Sequence, residues 1–355
     1  DGRYAVGRLE GSATLRLVDL QTSKPLTLNL TAQLAPPSEQ NGEGGAGPGS
    51  GGSSSDAGGT RADSAAAGVA GVTAAGSGIA GSAGNAWATT SNASGGSSAG
   101  GTSSRSSTSA PLPELSDLDL SPDGTFAIAM SRDRGVMLRI PIPSGFTDPS
   151  LITQLEVENV TVGAAAISPN GRWAVLYTTI VQSERRIVIV DLSGVIEPRV
   201  LGVTKAVKGI AFSSSGDQAY LAHYKADGSP LDPGLSPETV MERSYGYTLV
   251  DLKKAFRKLQ GTDSEPNLSV TTPGAPYAFL TFQHDSTLVQ RLDMESLQVS
   301  DIQLGSVPIA LGAVTAARRI FVGQKYSGGR LTFIDWQTLE MQTVTGYELN
   351  SKIRE

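Results

Sequence analysis

The sequence contains no cysteine in its 355 residues, which excludes disulfides and every metal site built on thiolates. Only two histidines occur, His223 and His284. Two imidazoles cannot make a three-histidine zinc site, and neither lies in a His-x-x-x-His or HExxH spacing. Charge is sparse at 17% of residues, and the formal net charge is −6. Such a chain offers no basic field for a phosphate backbone, which argues against a nucleic-acid partner. No run of about 18 apolar residues is present, so no membrane-spanning segment is expected. There is no strand–Gly-x-Ser-x-Gly–helix elbow and no P-loop. No cofactor is expected.

What the chain does contain is a repeat. A turn recurs as Ser121-Pro122-Asp123-Gly124, Ser168-Pro169-Asn170-Gly171 and Ser213-Ser214-Ser215-Gly216, with a weaker copy at Thr272-Pro273-Gly274-Ala275. Proline presets the first corner, Asp or Asn tolerates the second, and glycine supplies a positive φ. An apolar segment follows each turn: 125–131, 172–178, 218–224 and 277–283, with further copies at 3–8 and 319–325. Alternating β-branched and aromatic residues predict strands there. Apolar-Asp-apolar triplets then close the next strand, centred on Asp19, Asp191, Asp251, Asp293 and Asp335. The last three aspartates are 42 residues apart (251, 293, 335), a spacing in the propeller range. One copy breaks the rule with Ile140-Pro141-Ile142; proline cannot donate to a ladder, so a strand end or bulge is expected. Leu304–Gly346 is the copy with least inserted.

These residues resemble YVTN-type and PD40-type β-propeller repeats, relatives of the WD repeat, over residues 1–35 and 113–355. The resemblance implies an all-β propeller of four-stranded antiparallel blades. Six blades are visible, the first incomplete, either as a six-bladed ring or as part of a seven- or eight-bladed one. It is specific for fold and unspecific for function.

Three regions follow: a partial first blade at 1–37, a Gly/Ser/Ala-rich insertion at 38–112, and the other blades at 113–355. The insertion has the composition of a flexible loop; the alternative is packing of its small residues on a neighbouring molecule. The fourth blade is elaborated over 226–260. Ser236-Pro237-Glu238 reads as a helix start, with Thr239–Arg243 as a short helix. Lys253–Leu259 also reads as helical, with Ala255, Phe256 and Leu259 on its apolar side. At the ends, Asp1-Gly2 reads as half of another turn, and 348–355 as the start of an inner strand. Either that segment docks beside 3–8 and closes the ring, or further blades lie outside this sequence.

Candidate sites are few. Each histidine is expected to be structural. The repeated aspartates stand before turns and are expected to accept turn N–H groups. Trp173 and Trp336 are expected to pack between blades. The pairs Arg185-Arg186, Arg318-Arg319 and Lys253-Lys254 read as solvated faces or turn flanks. Asp133, Asp227, Asp232 and Glu238 are loop carboxylates that match no calcium-loop spacing. Trp87, Asp227, Asp232 and Glu238 are the candidate partner contacts. The expected function is a non-catalytic propeller from an exported bacterial protein, extracellular, cell-surface or periplasmic. It would act as a protein-interaction or structural scaffold, through a protein partner or self-assembly. The alternative is a metal-dependent, lactonase-like hydrolase with its site in the propeller channel. That reading needs converging carboxylates, and the inner strands offer only Asp117 and Asp119.

Overall fold

The structure, a computed structural model, describes residues 2–35 and 113–346. The insertion at 38–112, with Trp87, and the terminal segment on which the two readings of the chain ends turn lie outside the described residues.

Among the described residues, one three-stranded and five four-stranded antiparallel sheets follow one another along the chain. The first sheet joins β1 (Tyr4–Arg8), β2 (Thr14–Asp19) and β3 (Lys24–Asn29). The second joins β4 (Asp117–Leu120), β5 (Phe126–Ser131), β6 (Val136–Pro141) and β7 (Thr153–Glu156). The third contains β8 (Ala164–Ile167), β9 (Trp173–Tyr177), β10 (Arg186–Asp191) and β11 (Arg199–Gly202). The fourth contains β12 (Val207–Phe212), β13 (Gln218–His223), β14 (Tyr245–Asp251) and β15 (Phe256–Thr262). The fifth contains β16 (Pro266–Thr271), β17 (Tyr277–Phe282), β18 (Leu288–Asp293) and β19 (Gln298–Gln303). The sixth contains β20 (Pro308–Val314), β21 (Arg319–Gln324), β22 (Arg330–Asp335) and β23 (Met341–Thr345). Every sheet is a simple meander, and the arrangement is a β-propeller of blade-like sheets.

The core lies between the sheets. Five apolar clusters each join two consecutive sheets; Leu15, Leu17 and Leu28 meet Leu138 and Ile140 across the first seam, for example. A sheet sandwiched in this way is buried on both faces, which explains one departure from the in-and-out alternation expected of second strands. In β5 every residue is buried. Phe126, Ile128 and Met130 pack toward the third sheet and Ala129 toward the first. In β21 the alternation is retained.

The repeated turn behaves as its residues dictate. Gly124, Gly171, Gly216 and Gly274 have φ values of +70°, +69°, +78° and +71°, a region closed to most side chains. The first residue of the turn has a further task. The Ser121 and Ser168 hydroxyls accept the N–H of Phe126 (3.0 Å) and Trp173 (2.9 Å), pinning the start of the second strand. The sixth sheet does without the motif: a 3₁₀ turn at Thr315–Ala317 ends on Arg318 with φ +51°. Pro141 is the last residue of β6, a strand end. The repeated aspartates accept turn N–H groups, as expected. Asp19 accepts from Gln21 at 2.9 Å, Asp191 from Ser193 at 3.0 Å and Asp251 from Lys254 at 2.9 Å. Asp293 and Asp335 each accept two such bonds.

One expectation is overturned. Lys253–Leu259 is not helical: Ala255 has φ +50°, and Phe256 opens β15, which pairs with β14 from Asp251↔Phe256 to Tyr245↔Thr262. A seven-residue stretch has little helical stability alone. The outer strand of a blade is exposed enough to carry Arg257 and Lys258, so ladder pairing prevails. Phe256 consequently points to solvent, 57% exposed.

Candidate functional site

The connection between the second and third strands of the fourth sheet, residues 226–244, is the largest elaboration among the described residues. Its helix, α1 (Pro237–Arg243), starts where the sequence predicts. The Ser236 side chain accepts the Thr239 N–H at 3.2 Å, and Pro237 occupies the first turn. None of its residues is buried, so propensity and packing alone would not hold so short a helix.

Three charged residues fasten it. Lys205, only 4% exposed, lies just before β12. Its ammonium donates to the carbonyls of Met241 (2.8 Å), Glu242 (2.8 Å) and Ser244 (2.6 Å), closing the C-terminal end of α1. Arg185 pairs with Glu242 at 2.5 Å. Arg243 reaches back to Asp232 at 2.7 Å. It does so across Gly228, whose φ of +101° favours glycine and where a Cβ would meet the guanidinium at 2.8 Å and displace it. The Ala226 N–H donates to Glu242 O at 2.9 Å, shutting the base of the loop.

Beneath this loop lies His223, 4% exposed. Its Nδ1 is 3.1 Å from Ala206 O and its Nε2 2.7 Å from Thr248 Oγ1. Burial pushes its pKa down to about 4, so the ring is neutral at physiological pH and acts as a packed, bonded residue. Burial also pushes Lys205 down to about 8; Glu242 opposes the shift, and Arg185 and Lys225 add to it. The pocket bounded by Arg185, Lys205, Tyr224, Lys225 and Glu242 holds about 50 Å³, room for water but not for an organic ligand.

The fastening yields a prediction. Replacing Lys205 by methionine keeps the apolar stem and removes three charge-assisted bonds that share one ammonium and are together worth about 1.5–3 kcal/mol. Amide hydrogen exchange over 226–244 is expected to rise by one to two orders of magnitude, with β9 and β14 unchanged. Unaltered protection in α1 would show that Lys205 does not hold it.

The predicted contact residues separate. Asp227 and Glu238 are exposed on the loop, and Asp232 is committed to Arg243. Hydrogen bonds from its own backbone N–H and from Ser236 hold the Glu238 carboxyl below its ordinary value. Asp133 is exposed in the β5–β6 turn. His284 is exposed in the β17–β18 connection, its ring 6.4 Å from that of Tyr245 at the foot of the loop. Arg185 and Arg186 are more than solvated charges, pairing with Glu242 and Glu184. The sequence reading missed Lys205 because its partners are backbone carbonyls some 36 to 39 positions away, which leave no side-chain signature.

A second constellation lies on the inner strands. Asp117 Oδ2 accepts the Ala165 N–H and Asp119 Oδ2 the Ile167 N–H, both at 2.8 Å. These carboxylates thus cap the free edge of β8 in the next sheet. Burial raises both pKa values, and each carboxyl also accepts from its own neighbour's N–H, which works the other way. Tyr177, whose hydroxyl pKa is also raised by burial, is close enough to feel both charges. Among the described residues no group of three His, Asp or Glu side chains is placed to hold a metal ion.

No protein-family model matches the chain, and no curated protein matches it. Among solved structures, hydrazine synthase of Kuenenia stuttgartiensis is similar over 63% of this chain and 65% of that one, with 13% identity and a TM-score of 0.38. A likeness at that level carries no functional information.

Proposed function

We propose that this chain is a non-catalytic protein-interaction module, in an exported or cell-surface assembly, which presents the 226–244 protrusion to a protein partner. The observation that carries the reading is the contrast within the protrusion. Its base is fastened by Lys205, Arg185 and Arg243, while its tip holds out Leu231 at 91% exposure, with Met241 of the helix at 41%. A pre-fastened loop with an exposed apolar anchor suits recognition, because little ordering entropy remains to be lost on binding. The absence of cysteine is in keeping with an exported protein.

The test uses a photo-crosslinking residue in place of Leu231, with the same residue at Ser214 on the opposite rim as the control. One discrete cross-linked partner is expected from position 231 in cells of the source organism, and none from 214. Leu231→Asp should weaken capture of that partner at least about tenfold. Equal labelling from both positions, or capture indifferent to Leu231→Asp, would sink the proposal.

A further inference from the structure

Consecutive sheets are joined on the side of the apolar-Asp turns by a recurring device. A cation from one sheet reaches over to the turn carbonyls of the next. Arg199 donates to Lys253 O at 3.0 Å and also to Leu252 O. Lys258 donates to Leu297 O at 2.9 Å. Arg291 donates to Gln337 O at 2.9 Å and Trp336 O at 3.4 Å, its guanidinium lying 4.9 Å from the Tyr277 ring centre.

The seam between the second and third sheets has the cation without the contact. Arg139 stands two residues before Pro141, as Arg291 stands two before Asp293, and both stack on the aromatic that opens the second strand: Arg139 lies 4.4 Å from the Phe126 ring centre. Its Nε is buried with no hydrogen-bond partner, as in Arg199 and Arg291; unlike theirs, its terminal nitrogens make no hydrogen bond or ion pair among the described residues. The turn carbonyls it would reach by analogy, at Leu192 and Ser193, are left unbridged, and the seam opens into a cleft of about 250 Å³. The walls are mostly apolar, with Met137, Leu155, Val190, Leu192 and Ile196 among them. Thr153 and Gln154 add neutral polar groups, and Glu197 is an exposed carboxylate on the lining. Asp191 also borders the cleft by position, but its side chain is fully covered, bonded to Ser193 and 3.7 Å from Arg172.

We propose that this seam is a binding slot for a small apolar carboxylate, whose anionic head takes the place of the missing turn carbonyls on Arg139 and whose hydrocarbon body fills the cleft. An unpaired guanidinium stacked on a ring and walled by aliphatic side chains matches a carboxylate, through paired N–H···O bonds, better than any neutral group. The volume lies just under the range of about 300–1,000 Å³ typical of drug-sized pockets, which selects a short acyl or single-ring acid. The site is independent of the protrusion described above.

Octanoate is the probe, with octanol as its neutral counterpart. Titration calorimetry should show one-site binding of octanoate, with octanol at least about tenfold weaker. Arg139→Met keeps the stem over Phe126 and should weaken octanoate at least about tenfold, and Arg139→Lys should weaken it less. Glu197→Gln removes the competing charge at the mouth and should tighten it. Thermal melts establish that each variant is folded, and the Glu197→Gln arm stands whether or not Arg139→Met folds. Absence of binding to the wild type, equal affinity for octanol, or affinity unmoved or lowered by Glu197→Gln overturns the proposal.

Discussion

Replacing Trp173 by alanine is expected to destabilise the protein by about 3–5 kcal/mol, read as a drop in the urea midpoint. Trp173 opens β9, is fully buried, and lies in the cluster that joins the third and fourth sheets with Val175, Ile189, Leu221 and Val250. Its indole Nε1 donates to Asp217 Oδ1 of the next sheet at 3.0 Å. The guanidiniums of Arg172 and Arg199 lie 4.8 Å and 5.9 Å from its ring centre. Alanine therefore empties a large volume, breaks an inter-sheet bond and removes the ring face from two cations, which keep their other partners. Trp173→Phe separates these effects: it refills most of the volume, loses the bond to Asp217, and should cost about 1–2 kcal/mol. A loss below about 1 kcal/mol for Trp173→Ala would mean that the sheets do not depend on this seam.

Trp173 also shows what the sequence could reveal. Its place after Asn170-Gly171 marks the start of a second strand, and a strand aromatic beside a turn predicts packing between blades, as found. The same local chemistry set the turns, the N-cap at Ser236 and the aspartates at 19, 191, 251, 293 and 335, because each acts within a few residues of itself. Lys253–Leu259 failed for the opposite reason. Its preference is weak, and the decision belongs to β14, whose partner strand has to lie there. The groups that define both candidate sites were illegible for a related reason. Lys205 bonds to carbonyls, and Arg139 is notable for a bond that its counterpart Arg291 makes and it does not. Neither fact depends on the identity of a neighbouring residue in sequence.

The inner-strand carboxylates should give the second large effect, and its sign depends on pH. Changing both Asp117 and Asp119 to alanine removes the acceptors of the Ala165 and Ile167 N–H groups. An unsatisfied buried donor costs about 1–3 kcal/mol, so the pair should cost about 2–6 kcal/mol. Changing both to asparagine keeps an acceptor oxygen and removes the charge. Burial raises the folded-state pKa of both aspartates above the ordinary aspartate value of about 3.8. A raised pKa contributes stability that is fully present below the unfolded value and is lost as pH rises through the folded one. The asparagine pair does not titrate, so its stability relative to the wild type should increase from pH 3.8 upward and level off above the folded pKa values. The comparison removes the other titrating carboxyls from the result, including Asp123 and Asp335, whose pKa values are lowered by hydrogen bonds and which weaken the wild type and the variant alike in acid. Urea unfolding of the wild type and the asparagine pair across pH 3 to 7 measures the difference. A relative stability that falls as pH rises would mean that the bonds from Ala165 and Ile167 outweigh burial and that the charged carboxylates hold the two sheets together.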